Sequence, residues 1–277
     1  MNDLDLYLAK SDKPTPLVLF YFPGAFVVGN KYNVPGLLID ACKKAGITVA
    51  AVNYRYSTQA SYPAPFLDAA RGLQFLRLHA KEYNLNPKAV ASTGSSAGAD
   101  ISLWLGFHND LADPSSDDPV KRQSTRLAAV GALAAQTTLD PRVIRKIAGE
   151  KGAQNSAFPK LYGLRRDEMD TERAYKMYED ASAAALLTKD APPVFLYYSV
   201  PNNPVTDETP DGERVHHPLF GFYLKEPMDK LGVECVLRLR EDYPGASPGV
   251  QMNQEMVAFF LKHFPVEPSV VSGQQNR

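Results

Sequence analysis

Gly94-Ser95-Ser96-Ala97-Gly98 fits the pattern G-x-S-x-G, and a serine in that setting can attack an acyl carbon. Such chemistry needs a hydroxyl held clear of its neighbours, a base to take its proton, and main-chain donors for the oxyanion that forms. Small residues on both sides let the chain turn sharply, which forces the central residue into a strained backbone conformation. The flanks suit such a turn. Lys88 to Thr93 reads as a short buried strand, and Ala97 to Asp110 reads as a helix. That helix would aim its amide-rich N-terminus at the serine hydroxyl, favouring negative charge there. The pentapeptide alone recurs by chance in many proteins; the strand before it and the helix after it give it weight.

Composition narrows the alternatives. The 277 residues, 44% of them hydrophobic, suffice for one substantial core, so a single domain over 1–277 is expected. Thirty basic and 31 acidic residues give a net charge of -1, with no long run of either sign. Neither nucleic acid nor an anionic membrane is favoured as a partner. Cys42 and Cys235 show no metal-ligand spacing and read as buried free thiols, so no metal and no cofactor is called for. No apolar run approaches the roughly 20 residues of a membrane span. Met1-Asn2-Asp3 leads almost directly into a strand, and no signal-peptide pattern is visible, which leaves the compartment open. Oligomeric state is not legible.

Strands and helices alternate along the chain and so position the serine turn. Asp3 to Ala9 alternates like an exposed edge strand. Pro16–Phe22, Ile47–Asn53, Leu127–Ala135, Val194–Ser199 and Glu234–Leu239 are apolar runs of the kind buried in parallel sheets. Helices are expected over Leu37–Ala45, Ala64–Tyr83 and Gln251–His263. The fold class is therefore α/β, a mostly parallel sheet with helices on both faces. Residues 140–183 break the alternation with a charged helical excursion, which is either a surface insertion or a small cap over the active face.

The chain resembles α/β-hydrolases of the esterase/lipase type, related to hormone-sensitive lipase and to feruloyl-esterase-like carboxylesterases. Phe22-Pro-Gly-Ala-Phe26 stands for the family's H-G-G-G-[FW] loop, and Val52-Asn-Tyr-Arg-Tyr-Ser57 for its V-N-Y-R-L-S strand end. Tyr62-Pro63 through Asp68 is similar to its P-x-x-x-x-D helix start, and residues 94–98 to its G-x-S-A-G elbow. Ala191 to Leu196 and Asp242 to Ala246 resemble the approaches to its acid and its histidine. The resemblance covers about 3–264. It implies the α/β-hydrolase fold, Ser96 in the nucleophile position, and a small-molecule ester or acyl substrate. It also implies an oxyanion loop, for which Gly24, Ala25 and Ala97 can supply N–H groups while Pro23 cannot. Phe22 stands where the family has histidine. Phe22 and Phe26, with Tyr21 and the 140–183 segment, are expected to shape the pocket. Arg55 and Asp68 read as a structural ion pair beneath the loop.

Two positions depart from the family. Tyr198-Ser-Val-Pro-Asn-Asn-Pro-Val205 places Asn202 where the acid is expected, and Ser247-Pro248-Gly249 follows Tyr-Pro-Gly-Ala where the histidine is expected. Ser96 without a base is a weak nucleophile. His79 and His263 lie within helices as surface or packing residues, and His108 is three turns beyond Ser96, too far along the axis to reach it. That leaves His216 and His217, which follow the loop 201–215 on the elbow's side of the sheet. Asp207, Glu208, Asp211 and Glu213 in that loop are candidates to orient an imidazole, Asp207 and Asp211 foremost. Triads are defined by geometry, not sequence position, so a relocated base is physically sound. The competing role for either histidine is to cap the helix near Pro218 or to pack under the loop. Asp100, one turn after Ser96, is expected to bind a backbone donor or Arg55, or to line the pocket floor.

Two functions follow. One is hydrolysis of a carboxylic ester by Ser96, weakened by the relocated base. The other is a degenerate α/β-hydrolase that binds a small ligand or a protein partner without turnover.

Overall fold

A computed structural model describes residues 3–265. Seven strands form one sheet in the order β1-β3-β2-β4-β5-β6-β7, where β1 is Leu4–Tyr7, β2 Thr15–Tyr21, β3 Thr48–Val52, β4 Leu85–Ser95, β5 Ala129–Leu133, β6 Val194–Tyr198 and β7 Cys235–Leu239. β1 pairs antiparallel with β3; every other pairing is parallel. The five residues of β3 are all buried, and β2 is nearly so, as strands covered on both faces must be. The edge strand β1 is half-buried, and the buried Lys31 Nζ sits between Asp3 and Asp5 at 2.8 and 2.7 Å beside it. A charge there discourages pairing with another chain.

The helices are α1 (Gly36–Lys44), α2 (Ala64–Leu78), α3 (Ala97–Phe107), α4 (Pro141–Ala153), α5 (Ala157–Tyr162), α6 (Glu172–Ala181), α7 (Ala183–Leu186), α8 (Asp211–Val215), α9 (Leu219–Leu231) and α10 (Pro248–His263). All eleven residues of α3 are buried, so the helix that starts at the elbow runs through the core and has no solvent face. Two expected elements are corrected. The helix from Ala64 stops at Leu78, before the tight turn that brings the chain back at Leu85. The stretch 201–215, read as loop throughout, closes with the short helix α8, whose polar Asp-Gly-Glu-Arg opening carries no apolar periodicity to betray it.

Residues 140–183 hold α4, α5, α6 and the start of α7. They are tied to the core by Trp104 Nε1, which donates to the Asp180 carbonyl at 2.8 Å, and by Tyr162 Oη, which donates to the Leu139 carbonyl at 2.7 Å. No helix among the described residues is long and apolar enough to cross a membrane.

Candidate active site

Ser96 sits between the end of β4 and the start of α3 with φ 51° and ψ -125°. A non-glycine residue there is strained, and the surroundings hold it in place. Its N–H donates to the Leu133 carbonyl at 2.9 Å, and its own carbonyl accepts from Ala99 and Asp100. The glycine at 98 answers to close approach: a Cβ there would lie 1.9 Å from the Tyr21 carbonyl oxygen, which no packing adjustment relieves.

The loop after β2 turns over Ser96 through Gly24, Ala25 and Phe26, all with positive φ (130°, 51° and 62°). The segment after β3 clamps that loop. Tyr54 Oη donates to the Phe22 carbonyl at 2.7 Å, the Ser57 N–H to the Phe26 carbonyl at 2.7 Å, and Tyr56 Oη to the Gly29 carbonyl. Arg55 joins the buried Asp68 through Nε and Nη2, at 2.7 and 2.8 Å, and fixes the clamp to α2. Gly24, Ala25 and Ala97 border the same cavity as Ser96, as does Phe26. Phe22 does not. Its ring lies flat on Tyr54, centroids 4.0 Å apart, so the expectation that it shapes the pocket is corrected: it is a packing residue under the loop. Tyr21 is likewise buried, its hydroxyl on the Ala69 carbonyl.

Two histidines adjacent in sequence have opposite surroundings. His216 Nε2 lies 2.9 Å from Ser96 Oγ. The backbone of Gly212, one turn earlier, lies beside the ring and favours its charged form. The local reason is α8 itself: a five-residue helix leaves its last carbonyls without intrahelical donors, and His216 follows Gly212 by one turn. With its proton on Nδ1, a neutral imidazole presents the Nε2 lone pair to Ser96 Oγ. Burial holds the His216 pKa below the ordinary imidazole value, against the smaller upward pull of the Gly212 backbone. His217 is 2% exposed, donates through Nε2 to the Asn203 carbonyl at 2.8 Å and accepts at Nδ1 from the Leu219 N–H at 3.2 Å. Both its nitrogens are engaged away from Ser96.

No carboxylate hydrogen-bonds either ring among the described residues. Asp207 is exposed, and its backbone carbonyl accepts from Lys151 Nζ at 2.6 Å; Asp211 is exposed at the start of α8; Asn202 is exposed beyond β6. The structure therefore brings Ser96 and His216 together, but not the expected acids nor Asn202. Pro248, at the family's histidine position, is the first residue of α10, where a residue without an N–H costs the helix nothing.

What fixes α8 is Arg214. This residue, 2% exposed, donates through Nη1 to the Ala148 carbonyl at 3.0 Å and through Nη2 to the Thr206 and Thr209 carbonyls at 2.7 and 3.0 Å. It thereby binds the loop 201–210 and α4 to the short helix that ends at His216.

The cavity holds about 550 Å³ at the carboxyl ends of β2, β4, β5 and β6, the side of a parallel sheet where ligands bind. Asn155, Ala157, Phe158 and Leu161 of the 140–183 segment wall it opposite the elbow. Asp100 and Gln136 also bring polar groups to the lining, as do Ser95 and Ser199. Asp100 Oδ1 accepts from the Gln136 N–H at 2.9 Å, not from Arg55, and burial pushes its carboxyl well above the usual range. No motif points to Gln136; its one signal is a polar residue directly after an apolar strand. Among the described residues no group of three or more His, Cys, Asp or Glu side chains could hold a metal ion.

Comparison with known proteins agrees with this architecture. A probable carboxylic ester hydrolase, LipM of Mycobacterium tuberculosis (strain ATCC 25618 / H37Rv), is 29% identical over 188 residues, covering 66% of this chain and 41% of LipM. An acetyl esterase of Salmonella schwarzengrund (strain CVM19633) is 26% identical over 218 residues, covering 72% of this chain and 59% of that enzyme. The chain thus spans well under two thirds of the length of these relatives. Among solved structures, the acetyl ester-xyloside bifunctional hydrolase from Caldicellulosiruptor lactoaceticus superposes with a TM-score of 0.73 at 20% identity, over 94% of this chain and 88% of that one, which establishes the shared fold. The family model described as BD-FAE matches residues 4–208. The chain belongs to the BD-FAE family and is an α/β-hydrolase of the esterase/lipase type.

Proposed function

We propose that the protein hydrolyses carboxylic esters with Ser96 as nucleophile and His216 as its base. The 2.9 Å contact between Nε2 and Oγ carries this reading, because a nucleophile and base must stand within hydrogen-bond reach. Ser96 Oγ attacks the ester carbon while Nε2 takes its proton. The tetrahedral oxygen is held by main-chain N–H groups of Ala97 and of the Gly24–Ala25 loop. The alcohol leaves with the proton from Nε2, and water repeats the sequence on the acyl-enzyme. Where a complete triad has an aspartate, His216 has the neutral backbone of Gly212 beside it. That backbone brings no full negative charge to the imidazolium, so turnover is slower than with a complete triad. The names of the relatives, carboxylic ester hydrolase and acetyl esterase, favour a small ester substrate.

A second reading, ligand binding without turnover, is favoured by one observation: neither Asp207 nor Asp211 backs His216. Hydrolysis of short-chain aryl esters by the wild type, Ser96→Ala and His216→Ala decides between them. Ser96-dependent turnover supports the enzyme; equal background rates in all three eliminate it.

A further inference from the structure

We propose that Asp100 and Gln136 form a polar subsite in the Ser96 cavity that selects esters bearing a hydroxyl group three to four bonds from the attacked carbon. The proposal rests on the ester-hydrolase reading for its chemistry and on separate geometry for its selectivity.

Asp100 is 4% exposed, yet it lines the cavity and pairs with no cation among the described residues. One of its oxygens is fixed by the Gln136 N–H at 2.9 Å. Gln136 lines the same cavity, and its buried Nε2 has no hydrogen-bond partner. A buried amide without an acceptor is costly and uncommon in a settled core. The chain also strains to place it: Ala134, two residues earlier, is a non-glycine residue with φ 52° that turns the backbone out of β5. A core helix position at residue 100 and a wall position at residue 136 would be met more cheaply by apolar side chains.

The pair is complementary to a hydroxyl. Nε2–H can donate to the hydroxyl oxygen, and the carboxyl can accept its proton or, in the protonated form that burial favours, donate as well. The spacing follows from helix geometry. Residue 100 stands one turn beyond residue 96, about 5–6 Å along the axis. A substrate group reaching from the carbon at Ser96 Oγ to that level is three to four bonds away. A 3-hydroxyacyl group places its oxygen three bonds from the carbonyl carbon, and a 2-hydroxyethyl ester places it four bonds away on the alcohol side.

Two matched substrate pairs separate these sources. Ethyl 3-hydroxybutyrate is compared with ethyl butyrate, and 2-hydroxyethyl butyrate with propyl butyrate, in the wild type, Asp100→Asn and Gln136→Leu. The wild type is expected to prefer the hydroxylated member by tenfold or more in kcat/KM in one arm, which identifies whether the acyl or the alcohol portion lies at the subsite. Both variants are expected to lower that ratio at least fivefold. Each ratio is taken on one protein preparation, so partial misfolding of a variant cancels. A preference below tenfold in both arms, or one that either variant retains, overturns the proposal. If Ser96→Ala hydrolyses these esters as fast as the wild type, the catalytic reading fails, and the subsite is then read by calorimetric binding of 3-hydroxybutyramide against butyramide. Tenfold tighter binding of the hydroxylated amide, reduced at least fivefold in Gln136→Leu, supports the subsite; equal affinities overturn it.

Discussion

Arg214 Nη1 and the carbonyl oxygen of Ala148 are 3.0 Å apart, and this contact joins α8, which His216 follows directly, to α4. Three backbone carbonyls accept from this one guanidinium. Arg214→Met keeps much of the buried stem but removes this donor from all three, of which Thr206 still accepts from the Thr209 N–H, a loss of about 1–3 kcal/mol of stability. Thermal unfolding should show a lower midpoint. The surviving folded protein should lose kcat more than it gains KM, because the base is then poorly aligned. Equal kcat in variant and wild type would show that α8 holds His216 without this clamp.

Ser96 and His216 should fail together. Removal of either is expected to lower kcat by about 10³-fold or more, and the double variant should be no worse than the poorer single one. His217→Gln should leave far more activity than His216→Ala, since both His217 nitrogens are bonded within the loop. Steady-state kinetics on the wild type and these four variants checks this, and additive losses would mean that the two groups do not act on one proton.

The acid limb of the pH profile should lie below the ordinary imidazole range. A general base works in its neutral form, and burial lowers the His216 pKa, so the neutral ring persists to lower pH than a free histidine would allow. Activity is therefore expected to persist below pH 6.5 and to fall as pH drops through the depressed value. An inflection of kcat/KM at or above 6.5 would contradict the assignment.

Tyr54→Phe isolates the clamp on the oxyanion loop. The ring stack on Phe22 is retained, while the bond from Oη to the Phe22 carbonyl is lost. A buried carbonyl left unpaired costs about 1–3 kcal/mol, and the positive-φ turn at 24–26 loses one of its three ties. The expected result is a fall of about tenfold in kcat with KM less affected, since the oxyanion forms only after attack. Stopped assays on a short aryl ester measure both.

The elbow was legible because everything it needs is local: a strand, five residues with small side chains, and a helix. The parallel sheet was legible for a similar reason, since β2, β3 and β6 are apolar runs of the right length. The corner that carries His216 could be found from topology, because a chain leaving β6 emerges on the elbow's side of the sheet. Which of two adjacent rings faces Ser96 could not be read. That outcome depends on α8, hidden in a polar stretch, and on the Asn203 carbonyl that takes His217. Phe22 was misplaced because a family pattern assigns a position, whereas the side chain answers to the Tyr54 ring beneath it. The acids Asp207 and Asp211 are near His216 in sequence, yet their carboxylates bond neither ring, and spacing alone carries no information about that.

The break in α4 at Gly149, with φ 76°, adjoins the Arg214 guanidinium that Ala148 accepts from. α4 and the short helix before His216 therefore share one guanidinium as a tie. A substitution that displaces α4 at this break is therefore expected to reach the imidazole through Arg214, so the packing of that helix and the placing of the ring are not independent.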